Sequence, residues 1–98
     1  MAHEQIRWAP QAADDLEDIY HFISRDSVYY AALFAGRIMR IVENIPAFPM
    51  SGRVVPEYED ENIREKIYSN YRIVYRLNGG YVEIAAICHC AKPLKEIT

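Results

Sequence analysis

Two stretches with only two residues between them set the first constraint on how this chain folds. Ile63-Arg64-Glu65-Lys66-Ile67-Tyr68 and Tyr71-Arg72-Ile73-Val74-Tyr75-Arg76 are rich in β-branched and aromatic residues, and only Ser69-Asn70 separates them. Such side chains fit a pleated surface, and a two-residue connection joins antiparallel neighbours. The pair is predicted to be a β-hairpin. Basic residues recur through it, so Arg64, Lys66, Arg72 and Arg76 gather on one sheet, with Arg53 in the loop Gly52-Arg53-Val54-Val55-Pro56-Glu57 before it. A cationic surface on so small a domain points to an anionic or acidic partner.

The rest of the chain arranges itself around that hairpin. Asn78-Gly79-Gly80 is a turn signal, and residues 81–89 follow as a third strand. Near the start, Ile6 and Trp8 alternate with Gln5 and Arg7, the pattern of a short strand. Pro10 suits the first turn of a helix. Ala12, Leu16, Ile19, Tyr20 and Ile23 then fall at helical spacing, with Asp14, Asp15, Glu17 and Asp18 placed to complement the helix dipole. After the polar break Ser24-Arg25-Asp26-Ser27, a second helix is predicted over about 27–45. Its apolar stripe is Tyr30, Phe34, Ile38, Ile41 and Ile45, widened by Leu33 and Val42, with Arg37 and Arg40 off it. Pro46 and Pro49 end it. Residues 46–62 lack periodicity and read as a long loop, and 91–98 as an irregular tail. The expected fold is α+β in the order β-α-α-β-β-β, with a helical hairpin packed on one face of an antiparallel sheet. The other face, or a cleft at the sheet edge, is left for function.

Composition fits one domain over residues 1–98. Half of the chain (51%) is hydrophobic and 26% is charged, so it folds rather than staying disordered. No apolar run approaches the length of a membrane span, and Glu4 and Arg7 interrupt any signal-peptide core. The expected location is the cytoplasm. The net charge of −3 hides a split. Residues 1–62 carry eleven acids against five bases, and residues 63–98 six bases against three acids. An acidic chain does not favour general nucleic-acid binding, which depends on Lys and Arg. Cys88 and Cys90 flank His89, but alternation along a strand puts the cysteines on one face and the histidine on the other. No metal site is expected there.

Taken together, several motifs resemble the RelE/ParE superfamily of toxins from type II toxin–antitoxin systems. They are Ala12-x-x-Asp15-Leu16-x-x-Ile19, Pro49-x-x-Gly52-Arg53-x-x-Pro56-Glu57, Ile63-Arg64-Glu65, Tyr71-Arg72-Ile73-x-Tyr75 and His89-x-x-Lys92. The spacing from Gly52 to His89 is more similar to the ParE branch, with Lys92 where that branch commonly has Arg. The resemblance implies a toxin silenced by a cognate antitoxin in a hetero-oligomer, tied to plasmid stabilisation, needing no cofactor or membrane, and acting on DNA gyrase. The partner surface would then be Arg53, Arg64, Arg72, Arg76 and Lys92.

RelE-like members instead cut mRNA on the ribosome. That branch implies catalytic roles for Arg64, Lys66, Arg72, His89 and Lys92, but the tail tyrosine of those enzymes has no match in Pro93-Leu94-Lys95-Glu96-Ile97-Thr98. A third possibility is a non-toxic binding module of the same fold. The residues themselves leave structural roles open. Arg72 is equally suited to pairing with Glu65 or Glu83 across strands. Arg53 is equally suited to tying down the loop through Glu57, and His89 to a hydrogen bond within its strand.

Overall fold

The computed structural model describes residues 5–94. Its elements are β1 (Gln5–Trp8), α1 (Pro10–Ser24), α2 (Val28–Asn44), a 3₁₀ turn (Ile45–Ala47), β2 (Arg53–Val54), β3 (Ile63–Tyr68), β4 (Tyr71–Asn78) and β5 (Tyr81–His89). Five strands make one sheet in the order β1-β5-β4-β3-β2. The predicted hairpin is there, with Tyr68 opposite Tyr71 and Ile63 opposite Arg76. Ser69 takes a positive φ of 56° to make its two-residue turn, and Gly79 does so between β4 and β5, at 52°.

The sheet differs from expectation in two ways. β1 runs parallel to β5, from Gln5 beside Tyr81 to Trp8 beside Ile84, so the sheet is mixed rather than antiparallel. Residues read as loop supply a fifth strand, because Arg53 and Val54 pair with Glu65 and Arg64. Two residues are too few to show an alternating pattern, which is why β2 was invisible in the sequence.

The helical hairpin covers one face. Pro10 opens α1 at its first turn. The Ser27 side chain caps α2 by accepting from the Tyr30 N–H at 3.1 Å. Ala12, Phe34, Ile38, Val42 and Ile45 pack there against Ile73, Tyr75, Val82, Ile84 and Ile87. The stripe of α2 is only partly covered: Tyr30, expected in the core, is 63% exposed, and Leu33 is 39% exposed.

The opposite face is not left open. Val55, Val74, Ala85 and Ala86 form a second cluster, overlaid by Tyr58, Ile63 and Leu94. A bulge near Val74 and Tyr75 makes this possible, since Val74 faces Ala86 while Tyr75 faces Ile84. Ala85 is the extra residue, so both alanines turn to the second cluster and Ile84 and Ile87 keep to the first.

Candidate functional site

The strand register sorts the predicted cations onto two faces. Arg64 lies opposite Tyr75 and Lys66 opposite Ile73, on the helix side. Arg72 and Arg76 alternate with those partners and emerge on the other side. The single cationic platform expected from the hairpin is therefore divided.

On the far side the cations are neutralised. Arg72 is only 5% exposed. Its Nε donates to Glu65 Oε1 at 2.6 Å, and its two terminal nitrogens donate to the Glu57 carboxylate at 2.8 and 2.7 Å. The second oxygen of the buried Glu65 carboxylate accepts from Arg53 Nε. Arg76 pairs with Glu83 at 2.6 Å. The Arg72 guanidinium holds the Glu57 carboxyl down at about 2, and the two carboxylates raise Arg72 further above its ordinary value. So Arg72 pairs with Glu65 and Glu57, not Glu83, and Arg53 is tied to Glu65, not Glu57. The Arg72 guanidinium is therefore fully engaged, whereas Arg53 gives only its Nε to Glu65 and remains largely exposed.

Arg64 is occupied differently. It donates to the backbone carbonyls of Glu61 (2.8 Å), Gly52 (2.9 Å) and Met50 (3.3 Å), holding the long loop to the sheet. Tyr75 works beside it: its hydroxyl accepts from the Gly52 N–H at 3.0 Å and donates to the Pro49 carbonyl at 2.7 Å. Gly52 is required at this close approach, because a Cβ there would lie 2.5 Å from the Tyr75 hydroxyl and 2.6 Å from the Glu65 carbonyl oxygen.

His89 and Lys92 come together elsewhere. They line a cleft of about 450 Å³ between α1 and the end of β5, with Asp15, Asp18, Ile19 and Phe22 on the helical wall. The Asp15 carboxylate accepts from the Ile87 N–H at 3.0 Å, capping a strand edge that β1 is too short to cover. Burial raises its carboxyl above the ordinary range. The acidic run thus contributes a tertiary hydrogen bond, and none of it lies in the first turn, where the helix dipole acts most strongly. His89 stacks edge-on to Tyr71 at 5.3 Å, and its Nδ1 accepts from the Ala91 N–H at 3.0 Å. Cys88 is half-buried, its thiol pushed up by burial, and Cys90 is exposed. Among the described residues no cluster of His, Cys, Asp or Glu is placed to hold a metal ion, and no helix is long and apolar enough to cross a membrane.

The sequence reading named Glu65 among the partners of Arg72, but it gave Glu57 to Arg53, and Glu57 holds Arg72 instead. It also set aside Arg37 and Arg40, two exposed cations on α2. The signal for Glu65 was the Arg-Glu-Lys alternation of β3, but only the pairing of β2 shows that Arg53 stands opposite it.

The fold, a helical hairpin on a five-stranded sheet, matches solved structures from toxin–antitoxin systems. One is the chromosomal ParDE toxin–antitoxin system of P. aeruginosa, with a TM-score of 0.72 and 21% identity, covering 89% of this chain and 96% of that one. Another is the RelBE2 toxin–antitoxin complex of Mycobacterium tuberculosis, with a TM-score of 0.64 and 16% identity, covering 94% and 97%. A search of curated protein sequences finds no match. The model of the family described as ParE toxin of the type II toxin–antitoxin system, parDE, matches residues 6–93, and the chain belongs to that family.

Proposed function

We propose that this chain is a toxin that acts through protein contacts, inhibiting DNA gyrase in the cytoplasm and held silent there by a cognate antitoxin in a hetero-oligomer. The observation that carries the reading is the neutralised Arg72. Cleavage of RNA by its own 2′-hydroxyl needs uncommitted cations where charge builds on the phosphorus, together with an acid and a base. Here the arginine of the Tyr-Arg-Ile-Val-Tyr strand is buried against two carboxylates. Lys66 lies on the opposite face, and His89 and Lys92 line a separate cleft with two aspartates. These groups do not converge on one point. The antitoxin complexes among the structural neighbours support a partner of that kind for this chain.

The test sets two assays side by side. Purified toxin is titrated into a gyrase supercoiling reaction, and the chain is induced in cells while a translated message is followed by primer extension. Loss of supercoiling with an intact message is the expected result. Normal supercoiling at saturating toxin, together with cuts in codon register, would assign the chain to ribosome-dependent mRNA cleavage instead. Neither effect, with no arrest of growth, would leave only a binding module.

A further inference from the structure

The Glu57 carboxylate fills a cradle of donors supplied by other parts of the chain. The two terminal nitrogens of Arg72 donate to its two oxygens at 2.8 and 2.7 Å, and the Leu94 N–H reaches one of them at 3.4 Å. Forked donation of this kind is also how arginine holds a phosphate. Arg53 stands at the same cluster. Its Nε and the Nε of Arg72 donate to opposite oxygens of Glu65. Among the described residues the terminal nitrogens of Arg53 bond nothing, and its side chain is 63% exposed.

Glu57 and Glu65 are not equivalent partners. Glu65 lies on β3 with its side chain fully buried, whereas the Glu57 side chain is 37% exposed. The segment that carries Glu57 is held without the Arg72 contact. Val55 anchors its start, buried and donating from its N–H to the Ile63 carbonyl at 3.1 Å. The N–H groups of Tyr58 and Glu59 return to the Val55 carbonyl at 3.1 and 3.0 Å. Arg64 holds the Glu61 carbonyl at the other end. Rotation of one side chain therefore empties the cradle while the loop stays in place. It leaves Arg53, Arg72 and Glu65 with a net positive charge, on a guanidinium only 5% exposed. A buried charge that has lost a partner is costly until another anion replaces it.

We propose that Arg72, the Leu94 N–H and the outer fork of Arg53 form a gated site for a small phosphate, inorganic or the terminal group of a nucleotide, with the Glu57 carboxylate as its gate. The dianion carries more charge than the carboxylate it displaces, and Arg53 is placed to meet the excess. A nucleic-acid chain is disfavoured, because the exposed Glu59, Asp60 and Glu61 follow Glu57 on the same loop. The site lies across the sheet from the helices. It calls for binding alone, with no bond made or broken, and does not depend on which cellular target the toxin has.

The full chain is titrated with inorganic phosphate, and separately with chloride at equal ionic strength, while the Leu94 and Arg72 N–H resonances are followed by proton–nitrogen NMR. Both are expected to shift with phosphate alone. The Glu57 carboxylate competes with the ligand, so the apparent affinity is reduced by the fraction of chains with the gate open. Glu57→Ala removes that competition and is expected to bind phosphate about tenfold tighter than the wild type. Adding Arg53→Ala is expected to reverse most of the gain. A nucleoside 5′-monophosphate should bind as phosphate does, and the unphosphorylated nucleoside should not bind. Where Glu57→Ala does not fold, Glu57→Gln, which keeps the bulk and removes the charge, is held to the same criterion. Wild-type resonances that respond to chloride as they do to phosphate overturn the proposal. So does a folded Glu57 variant that binds no tighter than the wild type, a gain that survives Arg53→Ala, or a nucleoside that binds as well as its monophosphate.

Discussion

Glu57 joins three parts of the chain that the sequence keeps apart. It takes both terminal nitrogens of Arg72 on β4, it sits in the loop after β2, and its Oε2 accepts from the Leu94 N–H at 3.4 Å. Its pH behaviour follows from the Arg72 contact. The carboxyl is held at about 2 in the folded chain against 4.5 ordinarily. A depressed folded pKa stabilises the fold fully above about 4.5, and that contribution is lost as the pH falls towards 2. Urea unfolding of the wild type is therefore expected to weaken across that window. Glu57→Gln should be less stable at pH 6 and flatter between pH 4.5 and 2. A variant that loses stability with acid as steeply as the wild type would remove Glu57 from this role. The side chain is partly exposed, so solvent screening keeps the effect modest.

At the scale of elements, α2 depends on its first turn. The break between the helices is short, and Ser27 both ends it and satisfies the Tyr30 N–H. Ser27→Ala should cost about 1 kcal/mol, read as a lower midpoint in urea with the slope unchanged. A larger loss with a changed slope would mean that the hairpin itself had come off the sheet. β3 and β4 show the opposite dependence, on tertiary partners. Arg64 and Arg72 look alike along the chain, but one holds loop carbonyls on the helix side while the other closes a buried cluster beyond the sheet. Alternation was legible in the sequence. What met each face was not, because the loop that covers the outer face has no period of its own.

The whole molecule is two layers of packing on one sheet, and the same strands serve both. Ile73 and Tyr75 belong to the helix-side core while Val74 between them belongs to the other, and β5 divides in the same way at its bulge. Neither cluster can open without loosening strands the other needs. Thermal unfolding followed by near-ultraviolet and far-ultraviolet circular dichroism should give one coincident transition. Separate midpoints would show that the outer cluster melts alone.

Periodicity and turn chemistry along the chain determined both helices, the two-residue hairpin turns, the three long strands and the family motifs. Each of these depends on neighbours a few residues away. Contacts made across the sheet decided the parallel seating of β1, the pairing of β2, the bulge at Ala85, and which cations were spent inside. A guanidinium on a strand is cationic surface or structural clamp according to whether a carboxylate folds over it, and Glu57, fifteen residues upstream of Arg72, reaches it only once the loop has been laid across the sheet.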